Sequence, residues 1–475
     1  MNSMNTIETA QWSELTFGQC NLGDSRLTNR LIDYAKRQAD APGASTMGSC
    51  DGNEAASEGA YRFLRNERVN PKDIDKGVFL STAEQCKGHE LLLSIQDTTG
   101  VEVSHVPLRK NLSSMGEPSG FLVHTNMMVN AKSGCPIGII DQQRVVRPNR
   151  KDRRDTEKRK KTSYQDKESY RWESSSCQMV ELLGDAKNVI TICDREADLF
   201  EFLEYHRREN LRFIVRCSQN RVLASGKMLW DEMKEMPIVG YRQIEIAQRG
   251  PWKPAFEKTR EGREARTAIL EIRSGSVMLP CPKGKDSSEL LPISINIVYV
   301  TEINAPEDSE PLEWRLFTTE PVDTLKSASL VVSYYEKRWL IEEFHKSWKV
   351  GCKLEERPLQ SRASVERFMA ISAHIGLRLL QFQCLAEAEP DKTCEMLTRE
   401  DLECLRAIAK EKKQVVPRRS TNEWVFQTIA KLGGWIDTKR TGKAGWQSVW
   451  KGWSRFQDRL YGWKLAKNSM KSALK

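Results

Sequence analysis

A 475-residue chain that is 39% hydrophobic and 29% charged is expected to be a soluble globular protein of two or three domains, because it is long for a single core. Its 74 Lys and Arg against 65 Asp and Glu leave a formal charge of +9, which suits an ordinary slightly basic protein and points to a polyanion partner only where the charge clusters. Twelve cysteines without a CxxC and six histidines without an HxxxH imply reduced thiols in a cytoplasmic protein and argue against a zinc enzyme, so any metal chemistry should rest on carboxylates holding a hard cation.

No signal-peptide pattern opens the chain, and apolar runs such as ELLLSI at 90–95 are too short to span a bilayer. Residues 1–70 read as helical and polar. LGDSRLTNRLIDYAKRQAD (22–40) spaces Leu22, Leu27, Leu31, Ile32 and Tyr34 at near-helical intervals. EAASEGAYRFLRN (54–66) is a second helix beyond the small-residue loop PGASTMGSCDG (42–52). Arg26, Arg30, Arg62 and Arg65 make this a candidate DNA-binding head, although an ordinary charged surface has the same composition.

ELLLSIQD is an apolar run ending in Asp97, which predicts a strand buried on both faces and closed by the aspartate. GFLVHTNMMVN (120–130) and CPIGIIDQQRVV (135–146) follow as strands joined by the turn AKSG. Residues 144–171 hold twelve Lys or Arg against five acids, a solvated excursion that could also touch a phosphate backbone. An amphipathic helix over 167–184 leads into NVITICD, a second apolar strand ending in Asp194. Strand, hairpin, helix, strand, with an aspartate at the end of the first and last strands, is the order of a ribonuclease H-like α/β sheet.

Between 220 and 320, RQIEIA (242–247), AILEI (268–272) and ISINIVYV (293–300), with the breaks PWKP, SGS and CPKGKDSS, predict a β-rich insertion. From 323 onward the chain reads as helix, broken near Pro358, Pro390 and Pro417. Trp446, Trp450 and Trp453 recur on one helical face, with Trp463 further on, and are expected in a core. The expected domains are a helical head (1–70), an α/β core (71–360, insertion about 220–320) and a helical C-terminal domain (361–475).

YYEKRWLIEEFHKSWK at 334–349 concentrates aromatics, acids and bases. On one continuous helix Tyr335, Arg338, Glu342, Lys346 and Lys349 fall within a sector of about 80°, with Glu343 at its edge. A carboxylate among cations is ordinarily a surface ion pair that stabilises a helix by a few tenths of a kcal/mol. Asp97 and Asp194 change the reading, since a charged side chain closing an apolar strand is costly unless it coordinates something. Two such aspartates and a helical glutamate could hold two Mg²⁺ ions ~3.5–4 Å apart.

CDREADLF at 193–200 and the spacing of Tyr335, Arg338, Glu342 and Lys349 resemble the bacterial DDE transposases with a YREK signature. LGD at 22–24, EGAYRFLRN at 58–66, DTT at 97–99, EINAP at 302–306, RW-IEEFHK across 338–346, LGG at 432–434 and KRTG at 439–442 carry the likeness along nearly the whole chain. The resemblance implies a ribonuclease H-like core, interrupted by a β-rich insertion, between helical N-terminal and C-terminal domains. It implies Asp97, Asp194 and Glu342 as the catalytic metal-binding triad, with two Mg²⁺ per site and Mn²⁺ as a substitute. Tyr335, Arg338, Lys346 and Lys349 would contact phosphates near the cleavage site. Trp314 would stack on a flipped base, the alternative being a core tryptophan of a β-strand; Arg216 would lie near the active site, and Arg30 would touch the end sequence.

The implied partners are double-stranded DNA, both transposon terminal repeats and target, and a second copy of the chain in a synaptic homodimer that cleaves in trans. Asp40-Ala41-Pro42-Gly43 and Cys217-Ser218-Gln219 depart from the family's basic residues there, which points to a different end sequence with activity kept, because base-reading residues vary with the DNA. Two other readings are a ribonuclease H-like nuclease without strand transfer and a non-catalytic DNA-binding or dimerising inhibitor. An internal start at Met47 or Met115 could also yield a product without the head.

Overall fold

The computed structural model describes residues 8–103, 108, 120–146, 162–246, 248, 264–282, 291–307, 309–438 and 442–473. In chain order the helices are α1 (Thr9–Phe17), α2 (Ser25–Asp40), α3 (Glu54–Arg65), α4 (Pro71–Cys86), α5 (Arg171–Leu183), α6 (Phe200–Arg208) and α7 (Leu229–Glu235). They continue as α8 (Leu325–Glu336), α9 (Trp339–Lys346), α10 (Arg362–Ala388), α11 (Arg399–Glu411), α12 (Asn422–Leu432) and α13 (Trp446–Ala473). The strands are β1 (Leu92–Glu102), β2 (Gly120–Asn130), β3 (Pro136–Val145), β4 (Val189–Cys193), β5 (Arg212–Arg216), β6 (Ile238–Ile246), β7 (Arg266–Leu279), β8 (Ile293–Glu302) and β9 (Glu313–Thr318). They fall into two compact units: Met1–Lys167 with Ser174–Asp185 and Trp339–Lys475, and Glu168–Glu173 with Ala186–Arg338.

In the first unit, local chemistry starts α2 and α3 within the expected segments, and it starts α4, a helix the sequence reading did not place. Asp24, Asn53 and Asn70 cap α2, α3 and α4 by accepting from the backbone N–H of Arg26, Ala56 and Lys72, and Pro71 opens α4. The carbonyl of Leu64, at the end of α3, accepts from the Arg367 guanidinium at 2.9 Å and the Ser364 hydroxyl at 2.9 Å, both on α10. These contacts satisfy the helix end and seat the first helices on α10. Helix α10 is long and apolar enough to cross a bilayer by length and composition, but 83% of its apolar window is buried inside the protein, as in a core helix.

Strands β3, β2 and β1 form an antiparallel meander, with the turn at Ala131–Gly134 as predicted. Strand β1 does not end at Asp97. It runs on to Glu102, pairing Asp97 with Thr125 and Glu102 with Gly120. Only its burial changes, from fully buried over 92–96 to half-buried over 97–100. The polar side chains of its other face are tied laterally: Ser94 donates to Asn126 (2.7 Å), Gln96 donates to Ser176 (2.9 Å), and Thr98 bonds His124 (2.9 Å). Alternation sends these three to the face opposite Asp97.

The C-terminal helices close a core that includes Phe382, Leu405, Phe426, Trp453 and Phe456. Trp453 is inside it and Trp463 packs at its edge, as expected of the tryptophan stripe; Trp450 is half-buried, and the Trp446 side chain lies outside what the structure describes.

The second unit is a mixed sheet in the order β4-β5-β9-β8-β7-β6, parallel between β4 and β5 and antiparallel beyond. Phe202, Phe213, Leu279, Ile297 and Phe317 are among its core side chains. The insertion is β-rich as expected, but SGS does not break a strand. Ser274–Ser276 continue β7, paired to Val298, Ile297 and Asn296. Gly275 is small there because Met236 packs on it: an added Cβ would meet the Met236 sulfur at 3.2 Å. The loop PWKP and most of the basic block (147–161) lie outside the described residues.

Candidate active site and DNA-binding face

On the first unit, α9 packs against β1 and places the Nδ1 of buried His345 3.7 Å from the Oδ2 of Asp97. Glu342 stands in the first turn of α9, three residues before His345 and therefore on the same helical face. Two of the three expected carboxylates thus belong to one strand–helix junction. Lys349 donates to the carbonyl of Gly100 on β1 at 3.0 Å and lies 3.9 Å from Glu355. Lys346 is exposed, with its ammonium 4.8 Å over the Trp339 ring. Burial pushes the Glu343 carboxyl up; Lys346 opposes this and Glu387 adds to it.

Tyr335 and Lys349 do not share one helix. Helix α8 ends at Glu336, a turn follows at 337–338, and after α9 the chain widens into a π-helical turn at Ser347–Gly351. Tight i→i+3 bonds from Lys337 N–H to Tyr334 and from Arg338 N–H to Tyr335 make the first break. The widened turn accompanies the seating of fully buried Trp348, whose indole donates to Ser372 at 2.9 Å. Gly376 on α10 leaves it room, since a Cβ there would come 2.9 Å from the Trp348 Cα. The single-face arithmetic therefore survives only within α9, where Glu342 and Lys346 are one turn apart.

On the second unit, Asp194 follows β4 directly, as predicted. It caps the 3₁₀ turn Arg195–Ala197, accepting from the Glu196 N–H at 2.8 Å. Arg216 ends the neighbouring parallel strand β5 and donates to the Glu313 carbonyl at 3.3 Å. Trp314, paired with Val300 across β9 and β8, has its ring centre 6.2 Å from that of Tyr335. Burial raises the Tyr335 phenol's pKa; Arg338 and Arg216 oppose this, and Asp194 reinforces it. Asp194, Arg216, Trp314, Tyr335 and Arg338 therefore lie in one neighbourhood of this unit.

In the head, exposed Arg30 on α2 lies against α3. Gly59 permits the approach, because a Cβ there would come within 1.9 Å of an Arg30 guanidinium nitrogen. The groove between α2 and α3, about 540 Å³, is lined by Arg26, Arg30 and Arg62 with Asp24 and Glu58. Two of those arginines are paired on the same surface, Arg26 with Asp24 at 2.9 Å and Arg62 with Glu58 at 2.7 Å.

The sequence reading missed His345 and Asp198. The signals available were the histidine one turn after Glu342 and the last aspartate of CDREAD. Among the described residues no group of three or more His, Cys, Asp or Glu is gathered so that it could hold a metal ion. Asp97, Asp194 and Glu342 nevertheless offer oxygen donors alone, the set a hard divalent cation takes.

Residues 9–69 match the transposase DNA-binding family, and residues 173–375 match the transposase DDE domain. The first match spans α1 to α3 with Arg30; the second takes in Asp194, Arg216, Trp314, Tyr335, Arg338, Glu342, Lys346 and Lys349 and begins after Asp97. Among solved structures, the chain is similar to one in the cryo-EM structure of the piggyBac transposase synaptic complex with hairpin DNA, with 10% identity, a TM-score of 0.41, and coverage of 97% of this chain and 86% of that one. A transposase DNA-binding domain followed by a DDE domain makes this chain a DDE transposase, a DNA-binding enzyme of transposition.

Proposed function

We propose that the chain is a bacterial cut-and-paste transposase with a YREK signature, resembling the transposase of transposon five, and that it acts in the cytoplasm as a synaptic homodimer cleaving in trans. Its core is of the ribonuclease H-like kind, with β6–β9 as the insertion and helical domains over 1–70 and 361–475. The element order β1-β2-β3-α5-β4-α6-β5 supports that reading. Asp97, Asp194 and Glu342 are the metal ligands for Mg²⁺, two per site, with Mn²⁺ as a substitute. The ions, when bound, would activate the attacking oxygen and stabilise the leaving one at phosphorus.

The chain's own residues bind and orient the DNA. Arg338, Lys346 and Lys349 offer cations to phosphates, and Arg30 contacts the terminal repeat. Tyr335 is assigned a phosphate contact as well, and Trp314, edge-on to it in the neighbourhood of Asp194, is the ring on which a base drawn from the duplex stacks, offsetting ~1–3 kcal/mol of its unstacking. Water attack at the transposon end breaks one P–O bond and frees a 3′-hydroxyl. That hydroxyl attacks a phosphorus of the opposite strand, forming the hairpin as the flanking strand's oxygen leaves, and after water opens the hairpin it attacks a target phosphorus and displaces a target-strand oxygen. The observation that carries this reading is the grouping of Asp194, Arg216, Trp314, Tyr335 and Arg338, a carboxylate among cations and aromatics within the DDE match.

The test mixes purified protein, Mg²⁺ and a DNA fragment bearing the flanking terminal repeat, and resolves products on native and denaturing gels. A hairpin at the released end, absent with Glu342→Ala, is expected. Binding without cleavage in both Mg²⁺ and Mn²⁺ would overturn the reading in favour of a non-catalytic inhibitor; nicking without hairpin would favour a plain nuclease.

A further inference from the structure

The Asp198 side chain is fully buried. Its carboxylate accepts from the backbone N–H groups of Ser218 (2.8 Å) and Gln219 (3.0 Å) and from the Ser218 hydroxyl (3.3 Å). The Arg221 guanidinium pairs with the same carboxylate. The Asp198 carbonyl takes two more donors, Arg221 at 2.9 Å and the Gln219 side-chain amide at 3.3 Å. The Ser218 hydroxyl also reaches the carbonyl of Arg195 at 3.2 Å.

One side chain and its own carbonyl therefore tie two loops of the second unit together. The first is the turn 194–198, which leaves the C-terminal end of β4 and carries Asp194. The second is the loop 217–221, which leaves the C-terminal end of the parallel neighbour β5 just after Arg216. The turn is held from a second side by Arg171, which donates to Glu196 at 2.7 Å. A buried ion pair saturated with backbone donors costs desolvation that a surface loop need not incur. It secures a fixed geometry for what the loop carries, in this case a carboxylate that must meet a cation within a few tenths of an ångström.

We propose that Asp198 is a positioning residue for Asp194: it locks the turn that aims the Asp194 carboxylate, and it does so by clamping that turn to the loop that follows Arg216. The proposal rests on the metal-ligand role given to Asp194 above. It also assigns Ser218–Asn220, exposed side chains on the clamped loop, a fixed presentation beside Asp194.

The experiment titrates Mn²⁺ into the full chain bound to a duplex bearing the flanking terminal repeat and reads bound metal by electron paramagnetic resonance, with thermal melting recorded for each protein. Asp198→Asn, which keeps the shape and removes the charge facing Arg221, is expected to weaken Mn²⁺ binding about 10-fold or more while DNA binding stays within twofold of wild type. Arg221→Gln is expected to do the same in lesser degree, and it stands in for Asp198→Asn if that variant does not fold. Asp198→Glu, which restores the charge, should recover part of the affinity.

A merely structural role would lower the melting temperature and leave Mn²⁺ affinity unchanged well below it; that outcome in Asp198→Asn, or in Arg221→Gln if it is the variant that folds, would overturn the proposal. Asp194→Ala separates the two ideas. If it binds Mn²⁺ as wild type does, the metal-ligand reading itself has failed. If it loses metal and Asp198→Asn does not, only the positioning role has.

Discussion

The imidazole of His345 faces the Asp97 carboxylate across the packing of α9 on β1, Nδ1 to Oδ2 at 3.7 Å. That separation is too long for a hydrogen bond and is a close packing contact across the strand–helix junction. Because His345 is buried one turn after Glu342, it ties the aim of Asp97 to the helix that carries the glutamate. His345→Ala should reduce DNA cleavage about 10- to 100-fold and leave end binding nearly intact, as read by paired cleavage and gel-shift assays. Equal loss in both assays would show that the histidine only holds the fold.

The adjacent glutamates should separate cleanly. Glu342→Ala should abolish cleavage with binding retained, while Glu343→Ala should be much milder. Glu343 has a second signature. Burial raises its folded pKa, so its protonated form is favoured in the fold and stability falls as pH rises above the ordinary carboxyl range through the raised value. Glu343→Gln should therefore melt higher than wild type at pH 7.5 and at nearly the same temperature at pH 4.

Trp314 stands beside Tyr335 at 6.2 Å between ring centres. Trp314→Ala should slow hairpin formation more than the first nick, because stacking matters once the base leaves the duplex. Uniform slowing of both steps, measured on denaturing gels over time, would assign the tryptophan to packing instead.

Acid should weaken the fold through two buried histidines. Burial lowers His206 to about 4 and His374 to about 3, and both are neutral in the folded protein. Their folded values lie below the ordinary one, so the stability they confer is present above pH 6.5 and is lost as pH falls toward those values. His206→Phe, which fits among Phe202, Tyr205 and Phe213, should flatten the decline of melting temperature between pH 6.5 and 4.5.

What the sequence reveals and what it hides follow from the range of the forces involved. Asp194 is legible because the apolar run VITIC ends where its strand does; helix α4 goes unplaced although Asn70 and Pro71 mark its start locally. The extension of β1 past Asp97 is hidden because it rests on pairing with β2, from Asp97 with Thr125 to Glu102 with Gly120, far along the chain. The turn at 337–338 and the π-helical turn after α9 defeat a wheel drawn on 334–349; the second coincides with the seating of Trp348 against Gly376, which no local pattern encodes. His345 and Asp198 escape for the same reason, since their importance lies in partners, Asp97 and the 218–221 loop, that only folding brings near. SGS reads as a break, yet inside β7 Gly275 accommodates Met236.

The most direct test substitutes Asp97, Asp194 and Glu342 with alanine one at a time and follows cleavage of a terminal-repeat duplex in Mn²⁺, with binding measured separately in Ca²⁺. Each variant is expected to bind the duplex as wild type does and to yield no nick and no hairpin. Wild-type cleavage by any one of the three would contradict it, and would remove that carboxylate from the site.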